Sequence, residues 1–335
     1  MLAIPDRTVH RTKLADWLEL NALGSPDGWI GFGTLISAAA LSEDEQSEDI
    51  ADEDIWQDRL VLSVQGEIER RLQACGEEYP FRISSNGESM QLVEVITGAG
   101  YVYLFCLLLS HASDYTILPK SLSPKVTNKE RDLFQVCATV AAAGFVQGNA
   151  FSFGFPRPDD TKFLEALHAI YERFGEGKPV KKPRIAAPIH VKDAGIDVIA
   201  WRQSVDGLPG TQYLLGQVAS GKNWKEKSVL ADSEHFHKYW FELPPASSHQ
   251  NAMFMPFCLE PEEKNDGTSY DELLKSYLHS VNFRFGVLFY RYRISNFFSK
   301  GLIISDGGQH VVERAGDLSK IVKWVGKHSK RLRAA

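Results

Sequence analysis

The sequence has only four cysteines and no long apolar run. The cysteines lie far apart without Cys-x-x-Cys spacing, which argues against a zinc site and a disulfide framework and predicts reduced thiols. They are Cys75, Cys106, Cys137 and Cys258. The most apolar stretch, 101–110, is too short to cross a bilayer, and no cationic segment followed by an apolar run opens the chain. These absences predict a cytoplasmic protein without a membrane partner.

Internal repeats and low-complexity tracts are also absent, and the composition is that of an ordinary globular protein. A length of 335 residues is about twice that of a usual single domain, so either two domains or one domain with a large extension is expected. The segment 148–160 is dense in glycine and proline and is the best candidate boundary. We therefore predict one domain over 1–157 and a second over 158–335.

Charge is distributed unevenly along the chain. Residues 1–157 hold 12 Lys and Arg against 22 Asp and Glu, a balance of −10, whereas residues 158–335 hold 25 against 21, a balance of +4. The overall net charge of −6 argues against a simple DNA-coating protein. The basic surplus of the second half nevertheless suits a polyanionic substrate.

Hydrophobic periodicity predicts a mainly helical first domain. Nine acidic residues and no basic one fall between 42 and 58, a composition typical of a solvated loop. Around this loop, the pattern predicts one strand over 90–96 and helices over 8–20, 54–75, 101–110 and 128–146.

In the second domain the pattern changes to a helix followed by closely spaced strands, which predicts an α/β (α+β) fold. The core elements are a helix over 160–175, strands over 196–202 and 212–220, a helix over 223–240 and a strand over 252–259. After them, the sequence predicts helices over 270–281 and 317–332 and a strand over 286–294.

Two polar residues interrupt the predicted strands of the second domain. Asp197 lies among Ile, Val, Ala and Trp, where an unpaired carboxylate is costly and needs a metal, a cation or hydrogen-bond donors. Gln217 is the polar residue of the next strand, and a hairpin of these lengths can bring the two together. Carboxylate and amide oxygens suit Mg²⁺ or Mn²⁺. Lys222, on the following loop, is placed to stabilise charge on a phosphoryl oxygen.

The string Gly195-Ile196-Asp197, followed by Gln217, resembles the PD-(D/E)xK nuclease superfamily. The resemblance is greatest to its Mrr-type restriction-endonuclease branch, where Gly-Ile-Asp on one strand precedes Gln-x-Lys on the next. It covers residues 160–260 and implies a restriction-endonuclease-like αβββαβ core. It also implies Mg²⁺ dependence and DNA cleavage, often in defence against foreign DNA.

One position departs from this pattern, because Ala219 stands where the family has its lysine. Lysines in this superfamily can be supplied from neighbouring positions. Lys222 is therefore the leading substitute, with Lys225 and Lys227 behind it.

The resemblance also implies an acid from the first core helix that completes the metal site. Glu165 and Glu172 are seven residues apart on one helix face, and Glu172 is favoured as a catalytic residue and metal ligand. The basic residues predicted to contact nucleic acid are Lys192, Arg202, Lys225 and Lys227.

Other polar residues have simpler interpretations. Asp193, beside Gly195, is predicted to form a turn. His235 and His237 point to different faces of a helix, so they are interpreted as surface or interface residues rather than a metal pair. The aromatic and arginine residues of 283–293 could stack bases and bind phosphates, but are better explained as strand packing with exposed arginines.

The leading hypothesis is therefore a Mg²⁺-dependent DNA endonuclease, a bacterial defence effector whose N-terminal domain recognises a partner, a ligand or a DNA feature. A co-encoded defence protein and a second copy of the chain are the expected protein partners. The alternative is a nuclease-fold DNA-binding or scaffold subunit without turnover. A third hypothesis is an RNA-directed or nucleotide-directed hydrolase on the same core.

Overall fold

The computed structural model describes residues 2, 9–35, 50–157, 159–185, 187–188, 191–262 and 267–335, and only the backbone of 50–57. The chain is a mixed α/β protein that divides into two compact units. The first unit is Met1–Thr127, Phe257–Glu260 and Leu318–Ala335, and the second is Asn128–Pro256 and Pro261–Asp317. The first division between these units lies after Thr127, whereas the predicted domain boundary lies after residue 157.

The first unit combines helices with a small antiparallel sheet. Its helices are α1 (Arg11–Gly24), α2 (Ile50–Cys75) and α3 (Gly98–Ser110), together with the last helix of the chain, Leu318–Arg333. Its strands, β1 (Trp29–Gly31), β2 (Phe81–Ile83) and β3 (Ser89–Leu92), are ordered β1-β3-β2. Residues 50–58 of the predicted acidic loop belong to α2, so the loop prediction is wrong there, and 42–49 lie outside the described residues.

A buried ion cluster lies inside the first unit. The guanidinium of Arg71, 0% exposed, contacts Asp16 at 2.6 Å, Glu19 at 2.7 Å and Glu67 at 3.1 Å. Arg71 also donates to the carbonyl oxygen of Thr12 at 2.8 Å. Because buried carboxylates require compensation by donors or cations, this one arginine holds together α1 and α2.

The second unit is built around a five-stranded mixed sheet. Its order is β10-β9-β7-β6-β4, with β4, β6 and β7 antiparallel and β7, β9 and β10 parallel. The elements in chain order are α4 (Asn128–Val146), β4 (Asn149–Ser152), α5 (Phe163–Phe174), β5 (Lys178–Pro179), β6 (Val198–Trp201), β7 (Tyr213–Val218), α6 (Val229–Trp240), β8 (Phe241–Leu243), β9 (His249–Phe254), α7 (Tyr270–Phe285), β10 (Val287–Phe289) and α8 (Arg291–Asp306).

Helices cover the sheet of the second unit. Residues of β6 and β7 pack with the apolar faces of α5 and α6 in one core cluster, while α4 contacts β4, β6 and β7. Helix α8 packs directly on α4, where a Cβ on Gly144 would stand 1.9 Å from the carbonyl oxygen of Phe297. Only glycine permits so close an approach of two helix backbones.

Two sequence predictions differ from the structure in this unit. The helix predicted over 223–240 is a 3-10 turn, Lys222–Glu226, followed by α6, which begins at Val229. The strand predicted over 286–294 ends at Phe289, and Arg291 begins α8. The predicted apolar strands over 196–202, 212–220 and 252–259 correspond to β6, β7 and β9.

All four cysteines are buried. Within the described ranges, no helix is long and apolar enough to cross a membrane.

Candidate functional site

The candidate site lies at one end of the β6–β7 hairpin. The paired register of β6 and β7 ends at Val198 and Gly216, with Asp197 one residue before β6 and Gln217 one residue after Gly216. Asp197 does not continue that register, because its N–H bonds to the carbonyl oxygen of Gly216 and not to Gln217. The two residues predicted to form the centre of the site therefore lie at the same end of the hairpin, where the carboxylate of Asp197 reaches the N–H of Val218, the residue after Gln217.

Backbone hydrogen bonds hold Asp197 between two strands. Its N–H donates to the carbonyl oxygen of Gly216 at 2.8 Å, and its own carbonyl accepts from the N–H groups of Phe153 at 2.7 Å and Gly154 at 3.0 Å. A Cβ on Gly154 would stand 2.6 Å from Oδ1 of Asp197. The chain after β4 must therefore be glycine at this position to leave room for the carboxylate.

The carboxylate of Asp197 lies in an unusual electrostatic environment. Burial raises its pKa from 3.8 to about 6, the nearby Lys227 charge lowers it, and Asp193 raises it again. Its Oδ2 accepts a hydrogen bond from the backbone N–H of Val218 at 2.7 Å. A partly buried acid that ionises near neutral pH favours a bound cation, because a cation would stabilise the charged form.

Gln217 is 4% exposed, and its two amide atoms differ in their surroundings. Nε2 donates to Oδ2 of Asp232, on α6. Oε1 is buried and accepts no hydrogen bond from any described residue. A buried acceptor without a donor is uncommon in proteins and marks a place where a cation or a water belongs.

The lysine whose charge acts on the Asp197 carboxylate is Lys227 rather than Lys222. Its Nζ donates to the carbonyl oxygen of Val218 at 2.8 Å, and its charge lowers the pKa of Asp197. Lys222 is exposed on the 3-10 turn. Ala219, at the position of the family lysine, is 3% exposed and follows β7 directly. Of the three substitutes considered, Lys227 is thus the one that the fold brings to the site.

The acid expected from the helix over 160–175 lies at a solvent-exposed position. Glu172 and Glu165 are both exposed on α5, and Glu165 accepts a hydrogen bond from the backbone N–H of Lys162 at 3.4 Å. The helix that contacts Asp197 is α4, whose Gln135 donates through Nε2 to the Asp197 carbonyl at 3.2 Å. The assignment of Glu172 to the metal site stays a prediction.

The predicted nucleic-acid contacts are spread over the second unit. Lys192 is exposed beside Asp193, with its Nζ 5.5 Å from the ring centre of Phe155. Lys225 lies over the rings of Trp224 and Tyr277, at 5.7 and 5.9 Å. Arg202 follows the opposite end of β6 from Asp197, so the structure separates it from the site.

The interpretations of Asp193 and of the two histidines agree with the geometry, whereas that of 283–293 does not. Asp193 accepts from the N–H of Gly195 at 2.9 Å, as expected of a turn former. His235 is exposed, whereas His237 is partly buried and lies beside His249, with ring centres 4.9 Å apart. Burial lowers the pKa of His237 to about 4. The interpretation of 283–293 as a strand with exposed arginines is wrong, because Phe283 is 76% exposed on α7 whereas Phe289 and Arg291 are buried and Arg291 begins α8.

The side-chain oxygens of the candidate site can be compared with the ligands that a metal ion requires. Among the described residues, no three His, Cys, Asp or Glu side chains lie close enough together to hold an ion. The oxygens at the hairpin are one carboxylate, from Asp197, and one amide, from Gln217. Mg²⁺ commonly keeps several waters and uses one or two protein ligands plus substrate phosphates. The two oxygens are of the kind that such an ion uses, and two protein ligands do not form a closed cage.

Sequence reasoning missed Asp232 and Gln135, which contact the two central residues from α6 and α4. Neither has a motif that marks it, since each reaches the site only through helix packing. The chain matches no protein-family model, no curated protein and no solved structure at a significant level.

Proposed function

We propose that this chain is a cytoplasmic endonuclease that hydrolyses DNA phosphodiester bonds with Mg²⁺ or Mn²⁺ held by Asp197 and Gln217. One observation carries the proposal. Oε1 of Gln217 is buried and accepts no hydrogen bond from a described residue, and Asp232, which accepts from the other end of the same amide, is close enough to Asp197 to raise its pKa. A hard divalent cation would be bound by this amide oxygen and by the carboxylate of Asp197.

The residues of the site have separate roles that together suit phosphodiester hydrolysis. A bound divalent ion would activate water and offset charge on the phosphoryl oxygens. Asp197 is fixed by backbone bonds on both sides, so its carboxylate is preorganised. Lys227 is held by the Val218 carbonyl, which keeps its ammonium near Asp197 for the developing phosphate charge.

Two further features support the relationship to PD-(D/E)xK nucleases. A helix, three strands, a helix and a strand follow one another as in that core if α4, β4, β6, β7, α6 and β9 are taken, which starts the proposed core at Asn128 instead of residue 160, makes α4 and not α5 its first helix, and leaves α5 between β4 and β6. The strand pairings are antiparallel along β4, β6 and β7 and parallel at β9, as a helical crossover through α6 requires.

The test is cleavage of plasmid DNA with Mg²⁺ or Mn²⁺ by wild-type protein and variants. We expect Asp197→Ala to abolish cleavage and Lys227→Ala to lower its rate about 100-fold, the usual effect of removing one group that stabilises transition-state charge. Lys222→Ala is the matched control and should cleave like wild type. Equal cleavage by wild type and Asp197→Ala would refute the assignment, and competition with RNA would separate a DNA from an RNA substrate.

A second function is favoured by one observation, the replacement of the family lysine by the buried Ala219. On this alternative, the chain is a nuclease-fold subunit of a defence complex that binds DNA without cleaving it. DNA binding should then survive both EDTA and Asp197→Ala. Gel-shift titrations with and without Mg²⁺ would distinguish the two, since the enzyme proposal expects the ion to strengthen binding. In either case the protein partners proposed are a co-encoded defence protein or a second copy of the chain.

A further inference from the structure

We propose that Asp232 is a positioning residue that fixes the Gln217 amide with its oxygen toward the cation, an inference that rests on the metal site proposed above. Asp232 lies in the first turn of α6, whereas Gln217 lies in β7. Their contact, from Nε2 of Gln217 to Oδ2 of Asp232, joins the two elements.

The chemistry of the contact determines the orientation of the amide. An ionised carboxylate only accepts hydrogen bonds, so it selects the NH₂ end of the glutamine amide. The other end, Oε1, is then directed to where no described residue donates to it. Without Asp232 the amide could rotate by half a turn and present its NH₂ group, which cannot bind a cation.

The chain makes specific room for Asp232. Gly195, two residues before Asp197, has a φ of +78°, a conformation that favours glycine. A Cβ at that position would stand 2.6 Å from Cγ of Asp232. The first position of the Gly-Ile-Asp string therefore requires glycine, because any side chain at position 195 would push Asp232 away from Gln217.

The arrangement also explains why a glutamine suits position 217. A glutamate there would set a second carboxylate against Asp232, and the two like charges would repel each other. Glutamine provides the ligand oxygen and the donor in one group, and Asp232 keeps a negative charge beside the site. The amide at position 217 and the carboxylate at position 232 should therefore be replaceable by each other only when both positions are changed at once.

The dependence of position 217 on position 232 can be tested by measuring Mn²⁺ binding to the full chain with electron paramagnetic resonance, without any other ligand. We expect Asp232→Asn to weaken Mn²⁺ binding at least 10-fold, the usual effect of losing a group that orients a ligand, because the new amide can donate to Oε1 and turn Gln217 over. The double variant Gln217→Glu/Asp232→Asn should recover wild-type affinity or exceed it, since the amide introduced at position 232 would donate to the carboxylate introduced at position 217.

Glu234→Gln, which removes an exposed acid two residues further along α6, is the control for loss of charge. It should leave Mn²⁺ affinity within about twofold of wild type, as expected of a distant, screened charge. If Asp232→Asn binds Mn²⁺ like wild type, or the double variant fails to recover while remaining folded by circular dichroism, the positioning role is refuted. If wild type binds no Mn²⁺, the proposed metal site itself fails, which is a distinct result.

A metal-free measurement separates orientation from simple folding. The side-chain NH₂ of Gln217, buried and bonded to Asp232, should exchange its hydrogens slowly with solvent. In Asp232→Asn the exchange should quicken at least 10-fold, while the backbone amides of β7 keep their protection. Equal exchange of the Gln217 side chain in both proteins would overturn the proposal.

Discussion

Asp197→Asn should make the metal-free protein more stable at neutral pH, although it removes the central residue of the site. Burial raises the pKa of Asp197 to about 6, against 3.8 for an ordinary aspartate. Between these two values the folded protein binds more protons than the unfolded chain. The free energy of unfolding must therefore fall as pH rises from about 4 to about 6, and level off above that.

The size of the effect follows from the shift. A difference of about two pH units, at 1.36 kcal/mol each, makes the ionised carboxylate cost up to about 3 kcal/mol at pH 7.5. An asparagine carries no charge, and its carbonyl oxygen can still accept the hydrogen bond from the Val218 N–H. The substitution should thus remove the cost while it keeps the contact.

The assay is urea unfolding followed by tryptophan fluorescence, in EDTA, at pH 4.5 and pH 7.5. We expect Asp197→Asn to gain stability over wild type at pH 7.5 and to show little gain at pH 4.5. Asp206→Asn, on the turn at the other end of the same hairpin, is the matched control and should show no such difference between the two pH values. A loss of stability at pH 7.5 in Asp197→Asn would refute the reasoning.

Three further predictions concern other parts of the molecule. Mg²⁺ at 100 times its dissociation constant should stabilise wild type by about 2.7 kcal/mol and leave Asp197→Asn unchanged, as thermal unfolding with and without the ion would show. Gly195→Ala should lose more stability than Gly207→Ala, since both have positive φ but only the first Cβ meets a neighbour, and strain of this kind is worth about 1–3 kcal/mol. Urea unfolding of both would check this, and equal losses would contradict it. Arg71→Ala should cost about 3–5 kcal/mol because it leaves Asp16, Glu19 and Glu67 buried without their shared cation, and an unchanged urea midpoint would count against that role.

The two central residues of the candidate site stand out in the sequence because each breaks a local pattern. Gln217 is a polar residue in the apolar strand β7, Asp197 directly precedes the apolar strand β6, and the hairpin places both at one end. The choice between Lys222 and Lys227 was not predictable in this way. It depends on the 3-10 turn at Lys222–Glu226, which changes where each lysine points after β7.

Long-range pairing explains the other differences. Strand β4 bonds to β6 although 45 residues separate Ser152 from Val198, so α4 and β4 join the second unit, which local composition near residue 157 did not indicate. The alternation in 286–294 is typical of a strand, yet Arg291, Ile294, Ser295 and Phe298 are buried at helical spacing in α8. The helical pattern becomes visible only when residues beyond 294 are included.

The last helix has a consequence for how the protein is made. Leu318–Arg333 contacts α1 and α3, and Trp324 packs edge-on against Phe105 with ring centres 4.9 Å apart. A ribosome that adds 5–20 residues per second needs roughly 10–40 s to synthesise residues 128–317 between these partners. During that interval the nascent first unit lacks one of its helices, and the apolar surface around Phe105 stays uncovered. The N-terminal unit, although first out of the ribosome, should therefore be the last to complete its core.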